Sequence, residues 1–184
     1  MDRFEFLMVL LSIIVGLGIA ELLTNVVRQI RARNNTQGFW VHSGLVAILF
    51  LAFLQIWWES WDLREVEQWT FPALLLMLAG PAGLFVLSHL LYPQEIEGAD
   101  LEAYYFENSR QWWSIAGLTV IFATGFRPLA LGHSLFVVDN FSSFLLLGLF
   151  VILAISKLKR LHMAALPIIF LAMVLDIMVF KPTL

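Results

Sequence analysis

The chain has 184 residues, of which 60% are hydrophobic and only 14% charged, and its mean hydropathy is +0.84. Soluble domains are about 45–50% apolar and about 25% charged, so this composition excludes an ordinary soluble domain and predicts an integral membrane protein in a lipid bilayer. The formal net charge of −3 offers no general attraction to nucleic acid, and the absence of cysteine excludes disulfides and thiolate metal sites.

Six apolar stretches have about the length of a helix that crosses a bilayer core of roughly 30 Å. They cover residues 6–27, 41–61, 71–91, 112–126, 141–155 and 162–180. We therefore expect an all-α, polytopic bundle of six transmembrane helices that forms a single domain over residues 1–184. Residues 129–138 are also apolar, and they either extend the fourth or fifth helix or form a short re-entrant segment between them.

The first predicted helix has polar residues on one face of its second half. Glu21, Asn25 and Arg28 recur at helical spacing. A carboxyl group in hydrocarbon needs a partner or a wet cavity, because burying its charge costs several kcal/mol. Glu21 therefore either pairs with Arg28 and locks the packing, or carries a proton or binds a cation.

Small residues recur at every fourth position of the same helix. The set consists of Ser12, Gly16, Ala20 and Thr24. Small side chains let another helix approach closely, so we expect the first helix to lie at the centre of the bundle or at an oligomer interface.

The second predicted helix ends in a polar stripe of Gln55, Glu59 and Asp62. The stripe indicates an acidic mouth that concentrates cations, or simply carboxylates that are solvated at a helix end. In the third helix, Gly80 and Pro81 predict a kink, since proline removes one helical hydrogen bond. Such a kink either exposes carbonyl oxygens to an ion path or serves helix packing.

A polar segment, residues 93–111, joins the third and fourth helices and contains five acidic residues. Asp100 is placed to cap a surface helix that leads into the fourth predicted helix. We expect this acidic loop to lie on the membrane surface, either solvated or docking a basic partner.

Asp176 lies within an apolar run of the sixth helix and therefore needs a partner. Arg127, after the fourth helix, is the predicted partner, and the pair would act as a structural clasp or in gating. Asp139 and Asn140 are predicted to cap the start of the fifth helix.

The distribution of basic residues predicts the orientation, because Lys and Arg favour the cytoplasmic side. The loops after the first, third and fifth helices hold Arg28, Arg31, Arg33, Arg110, Lys157, Lys159 and Arg160, which leaves four basic residues for the other side. Both termini are therefore expected outside. The opening residues 1–6 followed at once by a long helix resemble those of small bacterial membrane proteins, which implies a multi-pass protein of the bacterial inner membrane.

Catalytic and cofactor motifs give little support to an enzyme. No zinc-protease motif, Walker loop or paired intramembrane aspartates occur. His42, His89 and His162 lie near one membrane boundary on three helices and are candidates for a haem or metal. Each ring, however, is within about a turn of a helix end, where an amphipathic side chain fits in any case, so no cofactor or metal is predicted.

The favoured functional hypothesis is a small oligomeric channel or transporter for a proton, a cation or a small solute. Its pathway residues would be Glu21, Asn25, Gln55 and Glu59. The alternative is a non-catalytic membrane subunit that assembles with or regulates a larger complex, and a haem or quinone redox protein ranks third.

Overall fold

The computed structural model describes residues 3–66, 68–131 and 141–180. The described residues form six α-helices and a short 3-10 helix, and no strand occurs among them, which confirms the all-α prediction. The helices are α1 (Arg3–Ala32), α2 (Trp40–Glu59), α3 (Phe71–Leu90), α4 (Leu101–Leu131), α5 (Phe141–Ile155) and α6 (Lys159–Phe180), and the 3-10 helix (Ser60–Glu65) continues α2.

Four of these helices, α1, α2, α3 and α6, are long and apolar enough to cross a membrane. Helix α5 is apolar but shorter, with 15 residues. These lengths and compositions support the prediction of a transmembrane protein. The number of crossings and the side on which the termini lie remain predictions.

Helix α4 begins inside the predicted acidic loop and runs without a break into the fourth apolar stretch. Its start is capped as the sequence suggested: Oδ1 of Asp100 accepts hydrogen bonds of 3.0 Å from the backbone N–H groups of Glu102 and Ala103. Because the cap satisfies two backbone donors that have no partner within the helix, it defines where α4 starts.

Helix α2 lies at the centre of the bundle and packs against α1, α3, α4 and α6. The first helix was expected at the centre of the bundle or at an oligomer interface, and the second alternative stays a prediction. The small residues of α1 face outward instead, and a side chain added at Gly16 would meet nothing within 4 Å. The close approach of α1 and α2 occurs at Gly18, where an added Cβ would lie 2.2 Å from Cζ of Phe53, a fully buried ring.

Pro81 lies within α3, which continues to Leu90. The kink predicted at Gly80 and Pro81 remains a prediction. Gly83, one turn along, has a clear packing role, because a Cβ there would lie 2.2 Å from Oγ1 of Thr119 on α4. The glycine therefore allows α3 and α4 to pack closely.

Three connections lie at one end of the bundle, which we call the strapped end: residues 33–39, 91–100 and 156–158. The first two are joined by backbone hydrogen bonds from Gln37 to Ala99 (3.1 Å) and from Leu101 to Gln37 (3.2 Å). Gly98, which donates to the Asn35 carbonyl, has φ +78°, a conformation that favours glycine. The opposite end, with residues 60–70 and the start of α5, is called the far end.

Candidate functional site

A cavity of about 240 Å³ lies among α2, α4, α5 and α6, with side chains of α3 completing one wall. We call it the chamber. It runs along the helix axes from Leu45 and Trp112, in the half nearer the strapped end, to Glu59 and Asp176 near the far end. One end of the chamber is therefore apolar, and the other is polar.

The polar end is organised by the side-chain amide of Gln55. Its Nε2 donates to Oε1 of Glu59 at 2.9 Å and to Oδ2 of Asp176 at 3.1 Å. Ser142 donates to the other oxygen of Asp176, Oδ1, at 3.0 Å. Three helices, α2, α5 and α6, thus meet at one hydrogen-bonded group, which we call the carboxylate cluster (Gln55, Glu59, Ser142 and Asp176).

The local sequence explains part of this geometry. Gln55 and Glu59 are four residues apart on α2, so their side chains share a face and can bond to each other. Ser142 lies in the first turn of α5, where its hydroxyl is one of few polar groups in a very apolar helix. Ser142 was not among the predicted site residues. Asp139 and Asn140, the residues predicted to cap the start of this helix, lie outside the described residues.

Asp176 forms two hydrogen bonds that the sequence did not predict. Its two carboxylate oxygens accept from Gln55 and Ser142. The side chain of Arg127 lies outside the described residues, so the predicted Arg127–Asp176 pair remains a prediction. Each carboxylate oxygen of this half-buried side chain thus accepts one hydrogen bond, which partly compensates for the loss of water.

The apolar end of the chamber is lined by rings, among them Trp112, Trp113 and Phe150. Trp112 and Trp113 are 5% and 2% exposed, so they lie inside the bundle rather than at its surface. Their indole N–H groups are engaged: Trp112 donates to the Leu87 carbonyl at 3.2 Å, and Trp113 donates to the Tyr105 hydroxyl at 3.0 Å. A ligand would therefore meet only the apolar rings here.

An aromatic layer lies between the chamber and the strapped end. The Tyr105 hydroxyl lies 2.7 Å from Nδ1 of His162, and Nε2 of His162 lies 2.9 Å from the Ser156 carbonyl. Since a carbonyl accepts only, Nε2 carries the proton and Nδ1 accepts from Tyr105. Phe39 and Phe106 pack on the Tyr105 ring. This layer contacts Trp113, which lines the apolar end of the chamber.

The second predicted polar group lies elsewhere, between α1 and α3. Asn25 donates to Oε1 of Glu21 at 3.0 Å, and Arg28 donates to Oδ1 of Asn25 at 3.0 Å. Nδ1 of His89 also lies 3.0 Å from Oε1 of Glu21, and these side chains are 68% and 29% exposed. Neither Glu21 nor Asn25 lines the chamber. The structure thus divides the four predicted pathway residues into two separate groups.

The three histidines each have a different environment. His42 is fully buried and contacts the Leu91 carbonyl through Nε2, whereas both ring nitrogens of His162 are hydrogen-bonded. His89 contacts Glu21 at the surface. Over the described ranges, no group of three or more His, Asp or Glu side chains is arranged to hold a metal ion.

No protein-family model, curated protein or solved structure matches this chain. The chamber and its carboxylate cluster are therefore interpreted from their own chemistry.

Proposed function

We propose that the protein is a membrane permeation protein that moves a proton, a cation or a small solute across the bilayer, with the chamber as part of the path. The observation that carries the proposal is the pair of carboxylates, Glu59 and Asp176, held at one end of a cavity by Gln55.

The setting of Asp176 is energetically unfavourable for a charge. A carboxylate inside apolar helices costs several kcal/mol, and an apolar side chain in its place avoids that cost. Asp176 is flanked by Leu175 and Ile177, and it lies on the last turns of an apolar helix. Acids kept in such a setting and directed to a cavity are typical of sites that bind or relay cations.

The aromatic layer would close the path on the side of the strapped end. His162 and Tyr105 are 1% and 4% exposed, and their hydrogen bonds connect α4 to α6. A transported species that occupies the chamber would have to pass this layer, so the layer would act as a gate. Alternating access requires such a barrier on one side of a binding site at any time.

Flux measurements in liposomes test the proposal. Purified protein is reconstituted with an internal pH dye, and proton and potassium fluxes are recorded for wild type, Glu59→Gln and Asp176→Asn. We expect at least a tenfold loss of flux in each variant, because each removes one charge and nearly conserves volume. Glu107→Gln is the matched control, since Glu107 is exposed near the other end of the bundle and does not line the chamber.

The comparison with Glu21→Gln separates two paths. Loss of flux in the chamber variants alone supports the chamber. Loss in Glu21→Gln alone would move the path to the groove between α1 and α3. Equal flux in all variants, or no flux above empty liposomes, would contradict the proposal.

A second candidate function is that of a non-catalytic subunit of a homo-oligomer or a larger membrane complex. The outward face of α1 favours it, because Ser12, Gly16, Ala20 and Thr24 are all exposed there and small residues suit close helix contact. Purification from native membranes in mild detergent tests this function. A fixed stoichiometric partner would support it, whereas recovery of the monomer alone, with unchanged behaviour after deletion of residues 95–107, would contradict it.

A further inference from the structure

We infer that the apolar half of the chamber binds the end of a hydrocarbon chain of a membrane lipid, and that the chain enters from the bilayer between α5 and α6. This binding is a property beyond the proposed permeation and does not depend on it. The carboxylate cluster takes no part in it.

The apolar half of the chamber is the half nearer the strapped end. Helices α2, α4, α5 and α6 all contribute aliphatic or aromatic side chains to it. Its lining includes Leu45, Leu49, Trp112, Trp113, Phe150 and Ile169. Of the described residues in this half, only the two tryptophans carry a polar side-chain atom, so a ligand there meets hydrocarbon and aromatic rings.

This half offers water no hydrogen-bonding partner among those side chains. The indole N–H of Trp112 donates to the Leu87 carbonyl, and that of Trp113 donates to the Tyr105 hydroxyl. The hydroxyl of Thr119, one turn beyond the tryptophans on α4, donates to the Ile115 carbonyl at 2.8 Å. A buried water needs about two to four polar partners, whereas apolar cavities of about 150 Å³ stay dry and bind small hydrocarbons. The lining therefore selects an apolar occupant.

The bilayer supplies such an occupant at high concentration. Lipid chains are as apolar as the interior of the protein, so a chain that moves into this half loses no favourable solvation. The atoms that line an unfilled space lack dispersion contacts on one side, and the chain restores those contacts.

The shape of the chamber suits a slender chain. Leu45 and Glu59, at the two ends of the lining on α2, are about 21 Å apart at 1.5 Å per residue. Because a volume of only about 240 Å³ is spread over this length, the space is narrow. A single acyl chain fits a long, narrow space better than a planar ring system or a compact solute does.

The boundary between α5 and α6 is the loosest part of the chamber wall. Helix α5 packs extensively on α4 and only lightly on α6. Both helices also expose large apolar side chains, among them Leu145 and Ile152 on α5 and Ile168 and Leu171 on α6. In a bilayer such faces lie against lipid chains, so a chain end at this boundary is already next to the chamber.

Photolabelling in liposomes tests the inference. One probe is a phosphatidylcholine with a diazirine at the end of one acyl chain, and the other has the diazirine beside the glycerol ester. We expect the chain-end probe to label Trp113 and Phe150, which are 2% and 8% exposed, at least tenfold more than the ester-side probe does. Phe53 is fully buried and does not line the chamber, so it should stay unlabelled.

Three results would overturn the inference. They are absence of label on Trp113 and Phe150, equal label from the two probes, and label on Phe53 as strong as that on Phe150. The first result would mean that the apolar half is empty or closed to the bilayer. The other two would mean that the label does not come from a chain held in the chamber.

A matched pair of variants on α4 locates the chain. Ala116 lies in the chamber wall, so Ala116→Leu fills part of the apolar half and should reduce chain-end labelling of Phe150 at least fivefold. Ala103→Leu makes the same change at an exposed position of the same helix and should leave the labelling unchanged. Leu146→Phe, which fills the chamber from α5, replaces Ala116→Leu if that variant does not fold. Unchanged labelling in the folded chamber variant would overturn the inference.

The photolabelling and flux measurements fail independently. Chain-end label in the chamber of a protein that carries no flux supports the lipid site and contradicts permeation. Flux that depends on Glu59, without label on Trp113 and Phe150, supports permeation and overturns the lipid site.

Discussion

The side-chain amide of Gln55 on α2 donates a hydrogen bond of 3.1 Å to Oδ2 of Asp176, which lies 121 residues later on α6. This bond connects the central helix to the last helix of the chain. Because Asp176 lies among apolar neighbours, loss of the donor would leave a carboxylate oxygen without its partner, and such a loss costs about 1–3 kcal/mol.

We therefore predict that Gln55→Met lowers the free energy of unfolding by about 1–3 kcal/mol, because methionine nearly matches the volume and has no N–H donor. The measurement is the unfolding midpoint in mixed micelles as SDS increases. Gln68→Met, in the exposed connection between α2 and α3, is the control and should leave the midpoint unchanged. Equal midpoints for Gln55→Met and wild type would show that the bond between α2 and α6 contributes no net stability.

Two glycines of α1, two residues apart, should respond in opposite directions to alanine. Gly18→Ala inserts a methyl group against the buried Phe53 ring, so we expect a loss of about 1–3 kcal/mol from overpacking. Gly16→Ala meets nothing within 4 Å and should be neutral or stabilise by up to about 1 kcal/mol, since alanine favours helix. The same SDS titration measures both.

A second substitution checks the physical reason for the Gly18 effect. Phe53→Leu provides space for the added methyl group, so the double variant should be less destabilised than the sum of the two single variants. Strict additivity would mean that the damage at Gly18 comes from somewhere other than Phe53.

The protein should lose stability at alkaline pH through Tyr92, which lies in the connection between α3 and α4. Burial raises the pKa of Tyr92 from 10.0 to about 12. Below pH 10 the phenol is neutral in both the folded and unfolded chains, and its contribution is constant. As the pH rises from 10 towards 12, the unfolded chain releases the proton first, so stability falls.

The effect of Tyr92→Phe on stability should depend on pH, with a cost at neutral pH and a relative gain above pH 10. At neutral pH it removes the 3.0 Å bond to Oε1 of Gln29 and costs about 0.5–1.5 kcal/mol. Above pH 10 the variant should lose less stability than wild type, since it has no phenolic proton at this position. Unfolding midpoints at pH 7, 9, 10 and 11 measure the difference, and parallel curves would contradict the shifted pKa.

The predicted orientation can be measured directly because the chain contains no cysteine. Single cysteines at Asn35 and Gln68 report on opposite ends of the bundle. In intact cells, a membrane-impermeant maleimide should label Gln68→Cys and not Asn35→Cys, which should react only after the membrane is permeabilised. Labelling in the reverse order would invert the orientation, and labelling of both in intact cells would contradict the six-helix topology.

Helix positions could be predicted from the sequence to a large extent, because apolar runs of membrane length are bounded by polar or turn-forming residues. The start of α4 at Asp100 is one such case. The arrangement of the helices could not be predicted in this way. A stripe of small residues on α1 indicates close packing but does not name the partner, and the structure places Phe53 at Gly18 while Gly16 faces outward.

The candidate site was predictable only within one helix. Helical spacing places Gln55 beside Glu59, since both lie on α2. It contains no information on which distant helix approaches them, so the contacts of this pair with Asp176 and Ser142 were not predicted. The Arg127–Asp176 pair remains a prediction. Glu21 was grouped with the same set because polarity alone does not distinguish the groove between α1 and α3 from the chamber.

The backbone hydrogen bonds at the strapped end have a consequence for motion. They join the connection between α1 and α2 to the connection between α3 and α4, so these two helix pairs are tied to each other at that end. Helices α5 and α6 are held at this end by side-chain contacts. Lys157 donates to the Ser109 hydroxyl, and Lys159 donates to the Glu102 carboxylate. Helix α5 packs extensively on α4 and only lightly on α6. Loosening residues 156–158 would therefore separate α6 from α5, rather than both helices from the other four.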